Sequence, residues 1–270
     1  MRKIGCIGCG NMGGGVLRVL LRSGGYALYG HDHSRSRVEA LREGASRVEW
    51  ADSPAALARA CDIVIVAVKP HQMPAMLDEI RPELGPGKTV VSLAAAFSLR
   101  EMKEHAGEEC PCVRVMPSLP VIAGKGVFAL CFDDPLLGSG ERTELTEMFR
   151  GMGMAAVLPE GQFPAFTSLV GCGPAFVCLF MEGLQNAGIA MGFKAETARE
   201  LVAAMVEGSA ALALREGAGF ADLRLRVCSP GGTTIRGVNH LERCAVPGHV
   251  ADAVLEALRR DNELSAARKA

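Results

Sequence analysis

The hexamer Gly8-Cys9-Gly10-Asn11-Met12-Gly13 follows the apolar run Lys3-Ile4-Gly5-Cys6-Ile7 and opens the stretch Asn11–Ser23. In that stretch Met12, Val16, Val19 and Leu20 fall on one helical face. A G-x-G-x-x-G sequence between a strand and a helix restricts the fold more than any other feature of the chain, because each glycine has a separate steric task. Gly8 permits the tight turn, Gly10 lets a pyrophosphate approach the backbone, and Gly13 lets helix and strand pack closely. The N–H groups at the start of the helix then face the phosphates. The chain is therefore expected to begin as a dinucleotide-binding βα unit, the alternative being a tight βα turn without ligand.

Downstream, short apolar runs alternate with amphipathic stretches, which predicts a doubly wound, mainly parallel α/β sheet of Rossmann type over residues 1–160. Strands are expected over Lys3–Gly8, Tyr26–His31, Arg47–Trp50, Asp62–Val68, Thr89–Ala94, Val113–Met116, Val127–Phe132 and Ala155–Leu158. Ser53-Pro54 reads as an N-cap followed by proline at the first helical position. Residues 161–270 carry long Ala/Gly-rich helical patterns, Pro174–Met191, Ala195–Arg215, Thr233–Arg243 and Val250–Lys269, and are expected to form an all-helical C-terminal domain. Gly161 to Met181 contains no charge and is long enough to span a bilayer. Pro164, Gly171, Gly173 and Pro174 interrupt it, so it reads as a loop followed by a buried helix, and no membrane partner is expected. The helical half offers Met181, Leu184, Leu201, Met205, Val206, Leu255 and Leu258 as apolar surface. It predicts a homodimer through that half; the alternative is a monomer whose helices cover one another.

Composition removes several classes. The 29 Lys and Arg are balanced by 30 Asp and Glu, so the chain has no basic surplus of the kind that binds nucleic acid. Ten cysteines in a chain of this length, with Cys6, Cys61, Cys131 and Cys178 inside apolar runs, read as small buried hydrophobes in a reducing cytoplasm. The C-x-C of Cys110 and Cys112 and the H-x-H of His31 and His33 lack the spacing of a zinc module, and no metal is expected.

Two features bear on the coenzyme. Asp32 lies at the end of the second strand, where an acidic residue would hold the ribose 2′-hydroxyl of NAD. Ser34, Arg35 and Arg37 follow at once and would suit a 2′-phosphate, since guanidinium pairs with phosphate through two hydrogen bonds. The expectation is NADPH, with NADH as the alternative. Lys69 ends an apolar strand at the carboxyl edge of the sheet, where its ammonium can hold coenzyme or substrate oxygens and Pro70 turns the chain away. In the second half, Ser229-Pro230-Gly231-Gly232-Thr233-Thr234 precedes a helix, so its N–H groups and hydroxyls suit a small carboxylate; it can also be an ordinary N-cap turn.

With that turn the chain resembles the pyrroline-5-carboxylate reductases, which make L-proline by reducing a cyclic imine. The resemblance rests on Ile7–Gly13, Ala67-Val68-Lys69-Pro70, Val90-Val91-Ser92-Leu93-Ala94-Ala95, Gly171-Cys172-Gly173-Pro174-Ala175-Phe176 and Val227–Thr234. It implies coenzyme contacts at Ile7, Gly8, Cys9, Gly10, Asn11, Met12, Ala67, Val68, Lys69, Pro70, Leu93, Ala94 and Ala95. It also implies a substrate carboxylate held by Ser229, Gly231, Gly232, Thr233 and Thr234, with Glu160 near the substrate, and a dimer or a larger ring of dimers. Thr234 is the expected proton donor or relay to the imine nitrogen. The chain departs from the family pattern at Ser118, Leu119, Val170, Cys172 and Leu225. Those departures keep two other readings open: a coenzyme-binding regulatory paralogue with little turnover, and a reductase of another small cyclic imino acid.

Overall fold

The computed structural model describes residues 1–269, apart from the side chains at 216 and 267–269. Ala270, the end of the expected second domain, lies outside the described residues. Two compact units emerge, one comprising Met1–Cys172 with the described residues from Leu258 onward, the other Gly173–Ala257.

The first unit is built on an eight-stranded sheet. Its strands are β1 (Arg2–Ile7), β2 (Tyr26–His31), β3 (Glu49–Trp50), β4 (Ile63–Val66), β5 (Thr89–Ser92), β6 (Cys112–Pro117), β7 (Gly126–Cys131) and β8 (Gly153–Val157). Their spatial order is β8-β7-β6-β5-β4-β1-β2-β3, and only the β6–β7 pair is antiparallel. The chain runs outwards from β1 to β3, then returns to β4 on the other side of β1. The topological switch point therefore lies between β1 and β4, where ligands of doubly wound sheets bind. Arg42–Glu43 and Ser46–Arg47 form a separate small antiparallel hairpin.

Helices cover both faces: α1 (Asn11–Ser23), α2 (Arg35–Glu39), α3 (Pro54–Ala60), α4 (Met73–Ile80), α5 (Leu99–Ala106) and α6 (Ser139–Arg150). Alternate side chains of each strand serve opposite faces. Ile4, Cys6, Ile63 and Ile65 join Val16, Leu17 and Leu20 of α1 in one core. Ile7, Val64 and Val66 join Leu57 of α3 and Met73, Leu77 and Ile80 of α4 in the other. Each fully buried aliphatic side chain of this kind contributes ~1.5–3 kcal/mol. Ser53 caps α3 by accepting from the Ala56 N–H at 3.1 Å, with Pro54 in the first turn, as the sequence predicts.

The stretch after β8 corrects an expectation. Residues 160–172 do not form a loop. They run as a short 3₁₀ turn (Glu160–Gln162), α7 (Phe163–Phe166) and a π-helical turn (Thr167–Gly171) that leads into α8 (Gly173–Ala190). Pro164 sits in the first turn of α7, where a missing N–H costs nothing, and so does not break the helix. By length and composition Glu160–Ala190 would suffice to cross a membrane, an 18-residue stretch of it having a mean hydropathy of 1.7. Nor is α8 the buried helix expected. Leu179 and Phe180 are 69% and 50% exposed, and Cys178, read from sequence as buried, is exposed too.

The second unit holds α8, α9 (Ala195–Glu216), α10 (Phe220–Arg226), α11 (Thr233–Arg243) and the first half of α12 (Val246–Lys269). Among the described residues of this unit, Gly188 of α8 and Ala198 of α9 are buried, and a Cβ at Gly188 would lie 3.0 Å from that of Ala198. Small residues thus let the α8–α9 pair approach closely. Outside this contact the unit exposes Leu201, Met205, Leu214, Phe220 and Leu255.

Candidate coenzyme groove and carboxylate turn

At the switch point the backbone itself shapes the groove. Gly8 has φ +92°, and a Cβ there would meet the Ala67 carbonyl oxygen at 2.8 Å. A Cβ at Gly13 would overlap the Gly8 carbonyl oxygen, while one at Gly10 would meet nothing within 4 Å. Two glycines are thus required by the protein's own packing, and the third leaves open space above the first turn of α1. Gly10 is the N-cap of α1 and supplies no side-chain cap, so the first-turn N–H groups remain for a ligand. The groove is about 590 Å³, lined by Cys9, Gly10, Asn11, Gly14 and Arg18 on one side and Ser36, Arg37 and Ala40 on the other.

Asp32 corrects the sequence reading. Its side chain is 3% exposed, and both carboxylate oxygens are engaged. Oδ2 accepts from the Cys9 N–H at 2.8 Å and Oδ1 from the Ser34 N–H at 2.9 Å, with the Arg37 guanidinium 3.5 Å from Oδ1. Burial works against the charge, but the Ser34 and Cys9 amides, Arg37 and His33 outweigh it and hold the carboxyl below its usual 3.8. Asp32 therefore anchors the glycine loop to the end of β2 instead of presenting a free carboxylate to a ribose. Arg35 is also diverted: it pairs with Glu39 at 2.8 Å and lies over the Trp50 ring, away from the groove. Arg37 and Arg18 are the arginines that line it. The sequence signal for Arg18 was available, since it lies on α1 two turns beyond Asn11.

The other expected coenzyme residues share the carboxyl edge of the sheet. Ala67–Pro70 follows β4 and Leu93–Ala95 follows β5. The Ala67 N–H donates to the Ile7 carbonyl at 2.8 Å and the Leu93 N–H to the Val66 carbonyl at 3.0 Å. Met12 is half-buried, and the Lys69 side chain is exposed. The Cys6 thiol, hydrogen-bonded with Cys9 and buried, is pushed well up and stays protonated.

Glu160 is placed among protein partners. Its Oε1 accepts from the Leu99 N–H at 2.7 Å and pairs with Arg114 at 2.7 Å, and its own N–H donates to Asp133 at 2.9 Å. Arg114 is 8% exposed, with its guanidinium carbon 4.7 Å above the Phe163 ring. Ser118 is buried, and its Oγ accepts from the Val127 N–H at 2.9 Å.

In the second unit, Ser229–Gly232 closes a turn through the Gly232 N–H and the Ser229 carbonyl at 3.0 Å, with Gly231 at φ +68°. Gly232 is the N-cap of α11 and again brings no side chain to cap the helix. Thr233 and Thr234 lie exposed in its first turn. An open helix start thus carries N–H donors and two exposed hydroxyl residues.

Residues 160–264 match the family model described as pyrroline-5-carboxylate reductase dimerisation, and residues 3–96 match NADP oxidoreductase coenzyme F420-dependent. Pyrroline-5-carboxylate reductase of Escherichia coli is 32% identical over 98% of this chain and 98% of its own length. Pyrroline-5-carboxylate reductase 3 of Macaca fascicularis is likewise 32% identical, over 98% of this chain and 96% of its own. The chain belongs to the pyrroline-5-carboxylate reductase family. Among solved members of this family, the Coxiella burnetii structure superposes with a TM-score of 0.87 at 29% identity, covering 97% of each chain. The Plasmodium falciparum structure, which has NADP bound, gives 0.85 at 27% identity, covering 98% of each chain. Full-length likeness to these reductases agrees with the mainly parallel sheet and helical C-terminal region expected from the sequence.

Proposed function

We propose that this chain reduces 1-pyrroline-5-carboxylate to L-proline with NADPH. The observation that carries this reading is that each unit has an open helix start of its own, α1 at Gly10 and α11 at Gly232, each an N–H cradle without a side-chain cap. The residues of the first fit a dinucleotide: a Cβ at Gly10 would meet only open space, and Arg18 and Arg37 stand beside it for a 2′-phosphate. When bound there, NADPH supplies the hydride.

The protein's contribution is position and electrostatics. Gly8–Met12 hold the pyrophosphate, and Ala67–Pro70 and Leu93–Ala95 form the adjoining edge, with the Lys69 ammonium available to coenzyme or substrate oxygens. The Ser229–Thr234 turn holds the substrate carboxylate through its N–H groups and hydroxyls. Reduction of the imine requires a protonated nitrogen, and the exposed Thr234 hydroxyl donates or relays that proton.

The assembly is a dimer through the helical half, with a ring of dimers as its higher form. The apolar side chains exposed on α8, α9, α10 and α12 support this, because soluble chains seldom leave such a surface uncovered. We place the enzyme in the cytoplasm, in keeping with its ten free cysteines. A spectrophotometric assay tests the reading: NADPH oxidation should depend on pyrroline-5-carboxylate and yield proline. Faster oxidation with a related cyclic imine would instead assign another substrate.

A further inference from the structure

We infer that Glu160 is a positioning residue: through the start of α5 it holds the loop that carries Leu93–Ala95 in its coenzyme-binding shape. This rests on the proposed reductase reading, in which that loop touches the coenzyme.

The loop stores strain. Ala96 has φ +52°, a backbone region that favours glycine, and it directly follows the Leu93–Ala95 segment. Such conformations persist only where the surroundings over-determine them. Two residues on, the chain is fixed in two ways. Ser98 and Glu101 form a reciprocal capping box, the Ser98 N–H donating to Glu101 at 2.7 Å and the Glu101 N–H to Ser98 Oγ at 3.2 Å. The next N–H, Leu99, donates to Glu160 Oε1 at 2.7 Å, across sixty-one residues of sequence.

Glu160 is itself held. Arg114 of β6 pairs with the same oxygen at 2.7 Å, and Phe163, one helical turn on, lies under the Arg114 guanidinium at 4.7 Å. Arg114 Nε is buried and has no hydrogen-bond partner, so this arginine depends on Glu160 and Phe163 to offset its desolvation. Asp133 accepts from the Glu160 N–H at 2.9 Å. The carboxylate thus joins three segments, β6, the entry to α7 and the first turn of α5, and the last of these keeps Ala96 in its strained state. Without it, Ala96 relaxes to negative φ and Leu93–Ala95 leaves the coenzyme edge.

The test is a titration of NADPH binding by fluorescence beside steady-state kinetics. Glu160→Ala should weaken NADPH binding about tenfold, the value of a lost charge-assisted bond of ~1.4 kcal/mol, and change the KM of the imine less than about twofold. Adding Ala96→Gly, which removes the strain, should restore NADPH affinity to within about threefold of the unmodified protein. Should Glu160→Ala fail to fold, Glu160→Gln keeps an oxygen for Leu99 and should weaken NADPH about threefold, again recovered by Ala96→Gly. A raised imine KM with unchanged NADPH affinity would make Glu160 a substrate contact and overturn the inference. So would coenzyme weakening that Ala96→Gly leaves uncorrected. Absence of turnover while the NADPH series behaves as described would count against the reductase reading alone.

Discussion

Arg37 lies 3.5 Å from Asp32 beyond the end of β2, beside the groove proposed for the coenzyme. Both oxygens of Asp32 are taken by the Cys9 and Ser34 amides, so the proposed function assigns discrimination between NADPH and NADH to the cations that line the groove. Arg37→Ala is expected to weaken NADPH about tenfold or more and NADH far less, whereas Arg35→Ala, whose guanidinium is committed to Glu39 and Trp50, should change the ratio little. Dissociation constants for both coenzymes check this; an Arg35 effect larger than the Arg37 effect would return the phosphate to Arg35. Asp32 also has a pH signature. Its folded carboxyl is held below 3.8, so it stabilises the fold fully above that value and progressively less as pH falls through its lower, folded value. Asp32→Asn should flatten the acid limb of a denaturation profile and weaken both coenzymes alike. Thr234→Ala should lower kcat/KM roughly tenfold, or ~1.4 kcal/mol, through the lost proton donor; unchanged kinetics would remove Thr234 from the reaction. The glycine fingerprint was legible in the sequence because its tasks are local. The occupations of Asp32 and Glu160 were not, since their decisive partners, Cys9, Leu99 and Arg114, lie 23, 61 and 46 residues away.

Among the elements, α1 and α11 run from Asn11 to Ser23 and from Thr233 to Arg243, as the sequence predicts, and β2 runs from Tyr26 to His31. Glycines bound the two helices at their starts, so periodicity and caps agree there. The failures are also physical. Pro164 and Gly171 read as breakers, yet one sits in a first helical turn and the other in a π turn, where neither needs an ordinary i to i−4 bond. The seven-residue α10 was not anticipated because so short a helix shows no sustained period. Gly13 offers the sharpest test at this scale. Gly13→Ala would press a methyl group onto the Gly8 carbonyl and displace α1 from β1. A loss of ~1–3 kcal/mol in chemical denaturation, together with loss of coenzyme binding, is expected. Wild-type stability with intact binding would show that helix and strand do not need this contact.

For the whole molecule, two kinds of surface divide the work. The first unit closes around two apolar layers and leaves the groove beside α1 open; the second keeps Leu179, Met191, Leu214 and Phe220 exposed by 69%, 73%, 83% and 84%. Such a surface predicts a two-fold dimer with a total interface above ~2,000 Å². Light scattering should find no stable, active monomer near 28.4 kDa. Hydride transfer to a cyclic imine is tested by coenzyme oxidation with pyrroline-5-carboxylate, with proline quantified in the same reaction. NADPH consumption matched one for one by proline is the predicted result. A protein that binds NADPH but forms no proline would contradict it.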